Sequence, residues 1–242
     1  MILHNSSFNI FFGNKQTAFN KEQFYTIKNS QELLEQAPFR QVKQAMNLDS
    51  LFVLNQVHSS DGFILSSHDH TAHLRPYEHD GDFLITNQPH QGLGIATADC
   101  LPIIFFDSHN QVIALAHAGW KGSVTGIALK TVKTMQECFG TDHKNLQIFF
   151  GPYGKICCYQ VTEEFLDYFK NDSNKELFLQ QRGKFLYFDV LTYNQLQLEK
   201  AGIQKEAFNS EYASCTICNP IYCSYRREGP QAQRQMTIVG LT

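Results

Sequence analysis

The chain has 242 residues, 43% of them apolar and 18% charged, with Lys+Arg 20 against Asp+Glu 23 and a formal net charge of -3. Soluble chains carry roughly 25% charged residues on average, so this composition is too apolar for disorder and too weakly charged for a coiled coil. Near-neutrality also removes the basic excess that drives binding to nucleic-acid phosphates, which leaves a small molecule as the expected partner.

At the N-terminus, MILHNSSFNIFFGNK lacks a basic stretch followed by an apolar core and a cleavage site. No run approaches the roughly 20 apolar residues that span a bilayer, so a cytoplasmic protein with no membrane partner is expected. Residues 28–47 read as helix: Ser30 can cap, Leu33, Leu34 and Ala37 share a face, and Pro38 marks a break or a second start. LFVLNQVH reads as a strand. DFLIT, GLGIATA, LPIIFFD and VIALAHA are short apolar segments separated by Gly, Pro, Asn or Asp, and are predicted to be neighbouring buried strands.

GWKGSVTGIALKTVKTMQECFG places Val124, Ile127, Ala128, Thr131 and Met135 at helical spacing, with Gly140 as a stop. LQIFFGP is predicted as strand, VTEEFLDYFK as helix with Thr162 near its start, GKFLYFDV as strand and YNQLQLEKAGI as helix ending at Gly202. YCSYRRE and MTIVGL alternate as strands do. The 20 Phe and 10 Tyr beside one Trp suit thick sheet packing. Strands interleaved with single helices imply a mixed α/β, or α+β, architecture, and with no linker or repeat to divide it, residues 1–242 are expected to form one domain.

Three chemically able residues lie at predicted strand ends: His58, Cys100 and His117. Ligand sites in layered α/β folds favour such ends, and two imidazoles with one thiolate can hold Zn²⁺ with a position open. The same residues also read as a packed thiol and two hydrogen-bonded histidines. The 7 Cys are odd in number and irregularly spaced, unlike a secreted disulfide framework.

QVHSSDG, HDGDFLIT, ATADCLPIIFFD, AHAGWKGS, GPYGKICCYQV and CTICNPIYCSYRREG follow one another as in a known family. The chain resembles the YfiH/YlmD-like proteins, also called the laccase-domain or polyphenol-oxidase-like family and named peptidoglycan editing factors. The resemblance implies two packed mixed sheets flanked by helices, and Zn²⁺ held by His58, Cys100 and His117. It implies purine nucleosides and phosphate as partners: phosphorolysis of adenosine, inosine and S-methyl-5'-thioadenosine, with adenosine deamination as a further activity. For deamination the expected attack is by a metal-activated water on C6 of the purine, Cys100 and Asp99 being the catalytic residues.

Asp99 would shuttle the proton, or else cap a turn between two strands. Lys121, Arg226 and Arg227 are candidates for phosphate, or else belong to a tight turn and a solvated strand. The pattern fades over residues 1–50, where Asn14 or Lys15 stands at an expected Arg, and Gln233-Arg234 replaces Gly-Arg. Alternatives are a copper-dependent polyphenol oxidase, a metal-free cysteine hydrolase using Cys100 and His117, a peptidoglycan-editing role, and a partner-binding protein without turnover. Oligomeric state is left at monomer or homodimer.

HDHTAH, from His68 to His73, is similar to the HxHxDH metal motif of metallo-β-lactamase-type hydrolases. Ala72 occupies its Asp position, and a loop between strands is expected there. Cys215 and Cys218 form a CxxC with Cys223 nearby, but no fourth ligand follows at suitable spacing. Cys215 is therefore read as a position shared with the family and Cys218 as incidental, and Cys157 and Cys158 as packing residues or else a reactive thiol.

Overall fold

The computed structural model describes residues 1–65 and 74–242. The stretch HDHTAH lies outside the described residues. Strands β1 (Ile2–His4) and β2 (Phe8–Phe12) lead to the short helices α1 (Ser30–Leu34) and α2 (Arg40–Met46). There follow β3 (Ser50–Val53), β4 (Gly62–Leu65), β5 (Phe83–Thr86) and β6 (Gln91–Thr97), then the wholly buried pair β7 (Leu101–Asp107) and β8 (Val112–Ala118). Helices α3 (Trp120–Val124) and α4 (Ile127–Phe139) precede β9 (Leu146–Phe150) and β10 (Gln160–Val161). Helix α5 (Lys175–Phe178), β11 (Leu179–Arg182) and β12 (Phe185–Phe188) lead to α6 (Val190–Lys200), and last come β13 (Phe208–Asn209), α7 (Tyr225–Glu228) and β14 (Gln235–Leu241).

Among the described residues, β1-β2-β14-β6-β3 form a five-stranded sheet and β13-β9-β7-β8-β5-β4 a six-stranded one, with β10-β12-β11 as a small third sheet. Side chains alternate across a strand, which decides what each face buries. In β7, Leu101, Ile103 and Phe105 pack with Ile127, Val132 and Met135 of α4, whereas Ile104 and Phe106 join Phe8, Ile10, Leu93 and Val239 between the two large sheets. The outer face of the five-stranded sheet, with Phe11, Leu51 and Ile238, is covered by Leu33 and Leu34 of α1 and Val42 and Met46 of α2. The layers therefore run helix, sheet, sheet, helix. The phenylalanines thicken the centre: the Phe8 ring lies 4.5 Å from Phe106 and 5.5 Å from Phe149.

Several predicted elements differ in detail. β6 does not neighbour β5, β7 and β8; it pairs with β14 and β3, because its alternation buries residues on both faces of the other sheet. The link Ala98–Cys100 consequently crosses from one sheet to the other. Residues 28–47 form two helices, and the first is capped by the Asn29 side chain, which accepts the Glu32 N–H, rather than by Ser30. Gly126, at φ 84°, splits the long predicted helix into α3 and α4, and Glu163–Phe169 is a 3-10 helix. YCSYRRE is not a strand: the Ser224 hydroxyl accepts the Arg227 N–H and starts α7. β3 ends at Val53, well before His58. No described helix is long and apolar enough to cross a membrane.

Candidate active site

His58 from the loop after β3, Cys100 from the crossing link and His117 near the end of β8 converge. Their ligand atoms all lie within 4.8 Å of one another. Cys100 Sγ is 3.9 Å from His58 Nε2, and the two imidazole centroids are 4.9 Å apart. Glycine makes this approach possible: a Cβ on Gly119 would stand 2.8 Å from His58 Cδ2 and 3.2 Å from Cys100 Sγ. On Gly122 it would meet the Ser59 carbonyl at 2.8 Å. The backbone is also strained here, with φ 60° at His58 and φ 89° at Asp99. Such left-handed positions cost about 1–3 kcal/mol each outside glycine and need compensation nearby.

Two carboxylates supply that compensation. Asp82, wholly buried just before β5, accepts N–H groups from Ser59 at 2.6 Å, His58 at 3.1 Å and Val57 at 3.3 Å, and the Ser59 hydroxyl at 2.9 Å. It also accepts Nδ1–H of His117 at 2.8 Å, which turns Nε2 of that ring toward Cys100. Asp99, also buried, accepts the Thr216 hydroxyl at 2.6 Å, the Ser224 hydroxyl at 3.1 Å and the Arg226 N–H at 2.8 Å. Its carboxylate thereby ties the segment around Thr216 and α7 to the crossing link.

Charge within the triad is coupled. Burial pushes the Asp82 carboxyl up, but His117 and the Ser59 donors outweigh it and hold the group below its usual range. Burial likewise opposes ionisation of Cys100, yet the adjacent His117 and His58 hold its thiol below the ordinary value. For His117 burial disfavours the cation, while Cys100 and Asp82 reverse that and push it up. Two imidazole nitrogens, a readily ionised thiol, a carboxylate fixing one ring and a position left open form a donor set that fits Zn²⁺.

The triad lies in the wall of a cavity of about 510 Å³, within the range of small-molecule sites. The aromatic residues Trp120, Tyr159 and Tyr225 and the cationic residues Lys121, Arg226 and Arg234 line it. The Arg226 guanidinium sits 4.7 Å over the Tyr159 ring and donates to the Gln160 carbonyl at 2.7 Å, while Lys121 Nζ lies 5.6 Å from the Trp120 centroid. Asp99 also lines the cavity. Arg227 does not: its guanidinium donates to the Thr216 carbonyl at 2.7 Å, the Ile217 carbonyl at 2.8 Å and the Glu228 carboxylate at 2.7 Å. Lys15, at the divergent N-terminal position, pairs with Glu228 at 2.7 Å and is absent from the lining.

Sequence reasoning missed the cavity residues Trp120, Tyr159, Tyr225 and Arg234, and Asp82 behind the triad. Asp82 stands in a motif already singled out, HDGDFLIT, yet its partner His117 is distant along the chain. Arg234 drew attention only as a departure from Gly-Arg. Residues 14–242 match the family described as multi-copper polyphenol oxidoreductase laccase. A purine nucleoside phosphorylase of Clostridium acetobutylicum is 30% identical over 207 residues, covering 83% of this chain and 80% of that protein. Another, from Aquifex aeolicus, is 36% identical over 160 residues, covering 66% and 70% respectively. The hypothetical protein YfiH of Bacillus licheniformis shares the fold with a TM-score of 0.81 at 22% identity, covering 97% of this chain and 93% of its own.

Proposed function

The chain belongs to the multi-copper polyphenol oxidoreductase laccase family, and from that premise we propose that it is a zinc-dependent purine nucleoside phosphorylase. Relatives bearing that enzyme name support the activity. The observation that carries it is the joint presence, in one cavity, of the His58, Cys100 and His117 donors, three aromatic residues and three cationic residues. The flat purine base stacks against the aromatic side chains, and Lys121, Arg226 and Arg234 hold the phosphate.

In phosphorolysis a phosphate oxygen forms a bond to C1' of the ribose. The C1'–N9 bond breaks with its electron pair leaving on the purine, which takes up a proton, and ribose 1-phosphate remains. His58, Cys100 and His117 would hold Zn²⁺, which supplies a Lewis acid to the cavity when bound. Asp82 keeps His117 in the tautomer whose Nε2 is free. The donors occupying the Asp99 carboxylate favour a positioning role for it, holding Arg226 in the cavity wall against the buried Thr216 segment, over that of proton shuttle. Adenosine deamination is the second activity proposed for the site.

The test is incubation with adenosine, inosine and S-methyl-5'-thioadenosine, with and without phosphate, resolving free bases from deaminated nucleosides. Phosphate-dependent release of free base is expected, and the absence of any purine product from zinc-loaded protein sinks the reading. A second reading, a metal-free cysteine hydrolase, is favoured by the Cys100–His117 pair with Asp82 behind it. Loss of one equivalent of zinc in Cys100→Ala supports the phosphorylase, whereas a zinc content that Cys100→Ala leaves unchanged, with activity abolished by thiol alkylation, supports the hydrolase. Copper is the alternative metal for a His₂Cys set. Among the described residues no second histidine-containing group is placed to bind further copper.

A further inference from the structure

The sequence offers no fourth ligand beside the CxxC, with Cys218 read as incidental and Cys157 and Cys158 as packing residues, but the folded chain brings the four together. Cys157 and Cys158, adjacent in the chain, meet Cys215 and Cys218, and the four sulfurs all lie within 4.8 Å of one another. None of them is in a disulfide. Backbone pairing across the two segments produces the meeting. The Tyr153 N–H donates to the Ser214 carbonyl at 3.0 Å, the Thr216 N–H donates to the Tyr153 carbonyl at 2.9 Å, and Lys155 Nζ reaches the Ala213 carbonyl at 3.3 Å.

A tetrahedral zinc with Zn–S bonds of about 2.3 Å needs sulfurs about 3.8 Å apart, so the cluster closes on such an ion with small adjustments of side chains. Cys157 and Cys218 are exposed and Cys215 is buried, which leaves an entry path over a fixed base. Cys215 and Cys218 stand as a CxxC in which the backbone N–H groups of Cys218 and Lys155 point at the Cys215 sulfur. Donors of this kind orient a thiolate and stabilise its charge, as outer partners do around metal ligands. Soft sulfur ligands select zinc over the hard cations, and four protein ligands leave no position open for chemistry.

We propose that Cys157, Cys158, Cys215 and Cys218 form a second metal site, a tetrathiolate centre for Zn²⁺ that is structural in role and separate from the triad. Its place explains what it would do. Tyr159, which follows Cys158, lines the cavity under Arg226, and the buried Thr216, which follows Cys215, donates to Asp99 in the cavity wall. An ion joining the two segments would pin that wall from behind.

The test uses the Cys100→Ala protein, in which the triad has lost its thiolate, so that the result is independent of nucleoside turnover. Metal analysis after purification and dialysis is expected to find one equivalent of zinc. Exchange for Co²⁺ is expected to give the intense visible bands and the thiolate charge-transfer absorption of a tetrahedral S₄ site. Adding Cys157→Ser and Cys218→Ser, both at exposed positions, should abolish the metal and the spectrum, with far-UV circular dichroism showing that the chain still folds. Cys138→Ser, a control on α4, should change neither. Retention of zinc without those sulfurs overturns the proposal. So does unvaried Cys100→Ala protein that carries no metal, whether its thiols are all reactive or joined as disulfides.

Discussion

Asp82 holds the candidate site together, although it does not line the cavity. Its carboxylate accepts from His117 and from the backbone of the loop that carries His58, so one buried charge orients two of the three donors. Replacing Asp82 by Asn removes the charge and sets an amide where donors converge. Zinc affinity is expected to fall about 10–100-fold, read by competition with a chelator, as for other outer partners of metal-bound histidines. Unchanged affinity would show that His117 is oriented without it. Gly119→Ala tests the close approach in the same assay: the new Cβ must displace His58 or Cys100, so the zinc equivalent held by the triad should be lost while the fold survives. At this scale much was legible in advance. The His58, Cys100 and His117 residue types, and the places of Cys100 and His117 near strand ends, are properties of short segments, whereas the loop position of His58 and the roles of Asp82 and Arg234 depend on partners far along the chain.

Among the elements, the buried strands were the most readable. β5, β7 and β8 carry largely apolar runs, and β14 is buried along its whole length, because both of their faces are covered. α7 was not readable, since YCSYRRE alternates like a strand until the Ser224 cap is seen. This short helix is clasped to the N-terminal segment through Glu228, between Lys15 and Arg227. Burial raises the Glu228 carboxyl, but those two cations outweigh it and hold the group below its ordinary value. A depressed carboxylate contributes stability above its unfolded pKa, and the contribution is lost as the pH falls through the lower folded pKa. Denaturant unfolding of Glu228→Gln should therefore lose up to about 1 kcal/mol near neutrality, the partners being partly exposed, and nothing in strong acid. An equal loss at both ends would assign the effect to packing rather than charge.

For the whole molecule, stability rests on the layer between the two large sheets, where Phe8 meets Phe106 and Phe149. Phe8→Ala opens a cavity there and should cost about 3–5 kcal/mol in denaturant unfolding while leaving the zinc content of the folded protein intact. A loss below about 1 kcal/mol would mean that the interface collapses to fill the gap. The sequence by itself determined the layered mixture of strands and helices and the positions of the three candidate metal ligands, because apolar periodicity and motif order are encoded locally. Only the tertiary structure decided that β6 belongs to the opposite sheet, that Asp82 backs His117, and that a Cys-Cys pair meets a distant CxxC. The first follows from the Ala98–Cys100 crossing, the second from the pairing of β5 with β8 and the third from the pairing of Tyr153 with the segment at Cys215, and no spacing along the chain specifies which segments will pair in space.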